Sequence, residues 1–130
     1  MYENLIESAP CHTERLVGGV TVVELSGEID IRTAPSLGAR LDALTAGPRP
    51  ELVVDLRSVS FIDCSGLRLL CRARNRTVAR RGRLRLVTDS RSFLRILKHT
   101  RLVGVFEVHH RLPEALAEDP VEKILPVSTG

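Results

Sequence analysis

Ser60-Phe61-Ile62-Asp63-Cys64-Ser65-Gly66-Leu67 carries the chain from an extended apolar stretch, through small and polar residues, straight into a run with helical spacing. A strand that hands over to a helix in so few residues is the joint of an α/β chain, and the flanking sequence repeats it. Upstream, Leu52-Val53-Val54-Asp55-Leu56 reads as a compact strand buried on both faces, with Val59–Ile62 a second short extended piece. Before the Gly47-Pro48-Arg49-Pro50 breaker, Ala34, Leu37, Leu41 and Leu44 recur at helical spacing, with Pro35 in the first turn. Earlier still, Glu14–Val17 and Val20–Leu25 are strand candidates joined at Gly18-Gly19, a hairpin signal. Downstream, the helical pattern from Ser65 stops at Arg81-Gly82, Arg83–Val87 is again a strand, and Asp89-Ser90 caps a short helix through Leu97. Leu102–Val108 reads as a further strand, and Leu112-Pro113-Glu114 opens a last helix through about Ala117. The expected architecture is one α/β domain over residues 13–118, a mixed sheet of four to five strands with helices packed against it. Residues 1–12 are an N-terminal extension and 119–130 a flexible tail.

Composition narrows the function. No apolar run is long enough to span a bilayer, and residues 1–12 lack the charged-then-apolar pattern of a leader, so the expectation is a cytoplasmic protein without membrane contact. Cys11, Cys64 and Cys71 are odd in number and lack CxxC spacing, and no histidine falls at a zinc-ligand interval from them. No disulfide, metal or cofactor is expected, and His109-His110 read as surface or strand-end residues. Without Trp, and with only Tyr2, Phe61, Phe93 and Phe106, the chain offers no base-stacking platform. The net charge of +3 conceals a segregation: −5 over residues 1–65, +11 over 66–101 and −3 over 102–130. Acidic sequence therefore flanks one basic segment, which argues against direct nucleic-acid binding.

The strand-to-helix turn is the candidate site, because a helix N-terminus presents unpaired N–H groups and partial positive charge. A plainer reading also holds there: Asp63 or Ser65 caps the helix and Gly66 permits the turn. The turn is neither GxSxG nor a phosphate-cradling loop, and pairing Cys64 with a distant histidine such as His99 has no specific support, so no enzyme is expected. On a helical wheel, Leu67, Leu70, Cys71 and Val78 make the core face, with Arg74 interrupting it. Ser65, Arg68, Leu69, Arg72, Arg76 and Arg80 fall on the other side, with Leu69 as an exposed apolar anchor. The successive i,i+4 arginine pairs repel by about 1 kcal/mol in total, so they are either a tolerated solvated face or a docking surface for an acidic partner. A phosphate on Ser65 would lie at the helix N-terminus within reach of Arg68 and Arg72, which suits a regulatory serine better than a catalytic one.

Gly27-Glu28-Ile29-Asp30 with Thr33-Ala34, Val53-Val54-Asp55-Leu56, and Phe61-Ile62-Asp63-Cys64-Ser65-Gly66-Leu67 together resemble the bacterial anti-sigma factor antagonists, built on the STAS domain. The resemblance covers roughly Thr13–Ala117. It implies a non-enzymatic switch in which Ser65 is phosphorylated by an anti-sigma factor that is itself a serine kinase. A PP2C-type phosphatase reverses the step, and the unphosphorylated form binds the anti-sigma factor and frees a sigma factor. By the same resemblance Asp63 is the acidic residue before the phosphosite, and Asp30 and Thr33 lie on the neighbouring loop of the partner surface. The turn and the helical wheel add Cys64, Gly66, Arg68, Leu69, Arg72 and Arg76 to the expected partner surface, with an arginine stripe heavier than the family pattern requires. Cys64 stands where the family usually has a small hydroxyl residue. The alternative is a constitutive STAS scaffold or ligand-sensing module without phosphoregulation.

Overall fold

A computed structural model describes the backbone of residues 3–9 and the whole of residues 12–102 and 104–116. Strand β1 (Glu3–Ala9) pairs antiparallel with β2 (His12–Val17), which pairs antiparallel with β3 (Val20–Ile29). Gly18 and Gly19 turn β2 into β3 at φ 57° and 84°. Both central residues of that two-residue turn need the left-handed region, which is why the hairpin signal is two glycines. Helix α1 (Ala34–Leu44) starts and stops where the apolar spacing places it, with Leu37 and Leu41 buried. Strand β4 (Glu51–Ile62), helix α2 (Cys64–Ala79), strand β5 (Arg83–Val87), helix α3 (Arg91–His99), strand β6 (Glu107–His109) and helix α4 (Leu112–Ala115) follow.

The result is a mixed sheet in the order β1-β2-β3-β4-β5-β6, parallel from β3 onward. This is the expected α/β class, with β2–β6 as five strands and β1 adding an edge strand from the presumed N-terminal extension. With Leu5 and Ile6 its only large apolar residues, that segment carries little strand signal; backbone pairing with β2, irregular between Leu5 and Glu7, makes it one. Val59–Ile62 is also corrected: it is not a separate piece but the end of one twelve-residue strand. The sequence pattern breaks there because Arg57, Ser58, Ser60 and Phe61 emerge from the core while the backbone keeps pairing with β3. The pairing slips between Gly27 and Glu28, and Gly27 sits at φ 73°, the mark of a bulge.

The strand expected over Leu102–Val108 shrinks to Glu107–His109. Arg101 takes φ 62°, its N–H donates to the Lys98 carbonyl at 3.2 Å, and that of Leu102 donates to the Leu97 carbonyl at 2.7 Å. These two bonds form a Schellman cap, so Leu102 belongs to the end of α3. Helix α2 ends the same way, with Arg81 at φ 61° and the Gly82 N–H donating to the Thr77 carbonyl at 2.9 Å. The residue at Ala117 and the tail over 119–130 lie outside the described residues.

The main core, including Val23, Leu25, Ile29, Val54 and Leu86, lies between the sheet and α1, α2 and α3. The opposite face buries Val17, Val22, Val53 and Val87 with Ala115 of α4. Leu52–Leu56 is buried on both faces, as expected, and Asp55 survives there because Arg57 grips both its carboxylate oxygens, at 3.0 and 2.8 Å. Since β3 and β4 are parallel neighbours, their C-terminal ends lie side by side. The turns into α1 and α2 open from that one end of the sheet.

Candidate functional site

The two turns are tied together by the backbone: the Asp63 N–H donates to the Ile29 carbonyl at 3.2 Å. In the first turn, the Asp30 carboxylate accepts the N–H groups of Arg32 and Thr33 at 2.9 and 3.2 Å. The Thr33 hydroxyl accepts the Asp30 N–H at 2.9 Å and donates to the Glu28 carbonyl at 3.0 Å. The Arg32 amide first, and then that of Thr33, hold the Asp30 carboxyl below its usual range. Asp30 and Thr33 are thus on the neighbouring loop, as the resemblance implies, with their side chains engaged in shaping it.

The second turn resolves the choice between Asp63 and Ser65 as cap. Asp63 is the N-cap of α2, and its Oδ1 accepts the N–H of Ser65 at 2.8 Å and of Gly66 at 3.2 Å. The hydroxyl of Ser65 makes no hydrogen bond among the described residues. It sits half-buried in the first turn of the helix with no structural task. Cys64 beside it is a free, exposed thiol, and Gly66 is buried beneath. A Cβ on Gly66 would lie 2.4 Å from Ile62 Cγ1 and 3.0 Å from Ile29 Cγ2. Only glycine lets α2 start this close to the ends of β3 and β4.

Two assignments from the helical wheel are corrected. Leu69 is not an exposed anchor: it is 7% exposed and part of the main core, whereas Val78, assigned to the core face, is 54% exposed. The buried stripe of α2 is Gly66, Leu69, Leu70, Ala73 and Thr77. Small residues let the helix settle closely on the sheet and α1, and they contribute little to a hydrophobic pattern, so the wheel was turned toward Leu67, Cys71 and Val78 instead.

The arginine stripe is likewise not a bare solvated face. Arg72 donates to both carboxylate oxygens of Asp42 on α1, at 2.8 and 3.0 Å. Arg76 donates to the Thr45 hydroxyl and the Asp42 carbonyl, each at 2.9 Å, and lies 3.4 Å from the Asp42 carboxylate. Arg80 reaches the Ala46 carbonyl at 3.3 Å. The Arg72 guanidinium chiefly, with Arg76 adding to it, holds Asp42 below its usual pKa. The repulsion along α2 is offset by acceptors on α1 and on the turn that follows it, so three of the four arginines tie α2 to that neighbouring segment. Arg68 alone is exposed and without a partner among the described residues. It shares a shallow groove of about 280 Å³ with Ser65 and Arg72, walled by Ile31, Pro35 and Gly38 and floored by Leu69.

The structure therefore brings Asp30, Thr33, Asp63, Cys64, Ser65 and Arg68 to one end of the sheet, with Gly66 and Leu69 beneath and Arg72 and Arg76 turned toward α1. Cys64 and His99 are not brought together: His99 lies in the last turn of α3, at the opposite end of the helical layer, with Nδ1 3.1 Å from the Arg95 carbonyl. Two large apolar side chains beside the site that sequence reasoning did not single out are Ile31, 74% exposed in the first turn, and Phe61, 52% exposed at the end of β4. The available signal was a large apolar residue within each turn sequence, next to Asp30 and two before Asp63. Among the described residues, no helix is long and apolar enough to cross a membrane.

Comparison with known proteins matches residues 14–115 to the STAS domain family model. The anti-sigma-F factor antagonist RsfB of Mycobacterium tuberculosis is 38% identical over 52 residues, a match spanning 40% of this chain and 43% of that protein's length. The crystal structure of an anti-sigma factor antagonist from Mycobacterium paratuberculosis superimposes with a TM-score of 0.74 at 33% identity, covering 85% of this chain and 96% of that one. The Bacillus protein SpoIIAA, solved unphosphorylated and phosphorylated, is alike in fold, with TM-scores of 0.59 and 0.56 at 18% identity over 97–98% of this chain and 98–99% of that one. With the family model matched from within β2 to α4, the chain belongs to the STAS domain family.

Proposed function

We propose that this STAS domain is an anti-sigma factor antagonist switched by phosphorylation of Ser65. Unphosphorylated, it binds an anti-sigma factor that is a serine kinase, at the face made by Asp30, Thr33, Ile31, Asp63, Cys64, Ser65 and Arg68, and so releases a sigma factor in the cytoplasm. Phosphorylation by that kinase ends the interaction, and a PP2C-type phosphatase restores it. The protein itself catalyses nothing in this scheme. The observation that carries the reading is the idle hydroxyl of Ser65: Asp63 performs the capping, so Ser65 can be modified without loss of a structural hydrogen bond. A phosphate there adds about −1.5 to −2 charge to the partner face and leaves the core untouched. The similarity to RsfB and to the antagonist from M. paratuberculosis supports the choice of partner class.

The test is to incubate the protein with a candidate anti-sigma kinase and ATP, and to map phosphate by intact mass and peptide sequencing. Phosphate on Ser65, constitutive binding by Ser65→Ala and weak binding by Ser65→Asp are expected. Absence of phosphate on Ser65 with the cognate kinase, together with equal binding by the two variants, would remove the proposal.

One observation favours the ligand-sensing reading. A cavity of about 170 Å³ lies between β4 and α3, lined by Leu56, Val59, Phe61, Ile62, Phe93 and Ile96 together with Ser60, Thr88, Ser90 and Ser92. An apolar site of that size accommodates a single ring or a short alkyl chain. Saturable binding of such a molecule, unchanged by Ser65→Asp and independent of ATP, would favour this reading over the switch.

A further inference from the structure

Resting on Ser65 as the modified residue, we propose that Arg68 is the group that reads the phosphate. In the unmodified protein its guanidinium is offered to an acidic partner; once Ser65 carries phosphate, the guanidinium is drawn onto it. One modification then both adds negative charge to the face and withdraws the positive charge that the partner uses.

Three observations single out Arg68. The first is availability. Arg72 is held by both oxygens of Asp42, Arg76 by Thr45 and the Asp42 carbonyl, and Arg80 by the Ala46 carbonyl, whereas Arg68 has no partner among the described residues. Arg32, on the other side of the site, lies 3.5 Å from Asp30 and 3.8 Å from Glu28.

The second is reach. Residues three apart on a helix are surface neighbours, with Cβ atoms about 5–6 Å apart, so Arg68 and Ser65 face the same solvent. Arg72 is seven residues on, about 10.5 Å along the axis at 1.5 Å per residue. Ser65, Arg68 and Arg72 line the same groove, and within it Arg72 is turned away onto Asp42.

The third is the state of the helix terminus. The amides that would ordinarily greet an anion there, those of Ser65 and Gly66, are already occupied by the Asp63 carboxylate. A phosphate on Ser65 Oγ therefore finds those two amides taken and a carboxylate that repels it. Its compensation falls chiefly to a side-chain cation free to move, and Arg68 is the one in place. A guanidinium suits that task, since its planar fork can grip two phosphate oxygens.

The experiment installs phosphoserine at position 65 during translation, so that no kinase is needed, and follows the second ionisation of the phosphate by phosphorus NMR. Arg68→Gln is expected to raise that pKa by about 0.5 unit, as loss of one solvent-screened charge some 5 Å away would. Arg68→Lys should recover most of the shift, and Arg72→Gln should move it by no more than about 0.1 unit. No shift in Arg68→Gln, or an equal shift in Arg72→Gln, would overturn the assignment. In the unmodified protein, Arg68→Gln should weaken capture of the anti-sigma factor about ten-fold, and unchanged capture would overturn the partner half of the proposal. Since the phosphate is placed without an enzyme, failure of the NMR result is distinct from failure of a kinase to modify Ser65.

Discussion

Asp63→Ala and Ser65→Ala each remove a small polar group from the same turn, and the structure assigns a stability cost to the first alone. Asp63 Oδ1 holds two amides, at 2.8 and 3.2 Å. Losing an N-cap of this kind costs about 1 kcal/mol, within a range of 0.5–2, and losing a carboxylate from a helix N-terminus adds about 0.3–1 kcal/mol. Asp63→Ala should therefore destabilise the fold by about 1.5–2 kcal/mol. Ser65→Ala forfeits no hydrogen bond and gains up to about 0.5 kcal/mol of helix propensity, so it should be neutral or slightly stabilising. Asp63→Asn separates the two contributions, because it keeps an acceptor oxygen and loses only the charge. Urea unfolding followed by far-ultraviolet circular dichroism measures all three, provided the slopes agree so that midpoints report stability. A loss of about 1 kcal/mol or more in Ser65→Ala with no loss in Asp63→Ala would overturn the assignment of Asp63 as the cap. The hydroxyl would then be the cap, and its freedom to take a phosphate would be gone.

Gly66→Ala should destabilise by about 1–3 kcal/mol through overpacking against Ile62 and Ile29, although helix propensity alone argues for a gain of up to about 1 kcal/mol. A stabilised Gly66→Ala in the same urea assay would show that the close approach of α2 is not required. Glu14 is fully buried beside Arg40 and His12; burial pushes its carboxyl up, but the hydrogen bonds from Arg40 and His12 outweigh this and leave it below its ordinary value. A depressed carboxylate contributes stability that is present above its unfolded pKa of about 4.5 and lost as pH falls through the folded value. Midpoints measured across this acid range should accordingly fall more steeply in the wild type than in Glu14→Gln, and parallel curves would contradict the assignment. Asp42→Ala should lower stability in dilute buffer by releasing Arg72 and removing the ion pair to Arg76, which keeps its bonds to Thr45 and the position-42 carbonyl, with a deficit that shrinks in about 1 M salt; a deficit indifferent to salt would mean that the strap is not electrostatic.

Much of the layout was legible because its signals are local. Paired glycines demand left-handed backbone and so mark the hairpin, and a proline-opened apolar spacing gives α1 its limits. Leu52–Leu56 announces a strand buried on both faces by having almost nothing polar to expose. The Asp63-Cys64-Ser65-Gly66 turn could be recognised as a site for the same reason, since a helix start is a chemical feature of a few adjacent residues. Where the signal was misread, the cause was also physical. The Schellman cap of α3 takes Leu102 out of a stretch whose composition reads as strand, and β4 continues past the point where its side chains leave the core.

The alternation of strands and helices and the polar turn at their central joint are therefore written in adjacent residues. What that turn's residues are free to do is set by packing. A helical wheel supplies angles of about 100° per residue but not which sector meets the sheet. That sector is chosen by how closely the helix can approach, and here Gly66, Ala73 and Thr77 permit an approach that buries Leu69 and exposes Val78. The rotation carries Arg72 and Arg76 onto Asp42 and leaves Arg68 free, while the Asp63 carboxylate takes the amides that Ser65 might otherwise have competed for. The arginines are written in the sequence, but which of their charges are already spent depends on partners such as Asp42, 30 residues from Arg72, and packing alone brings those into reach.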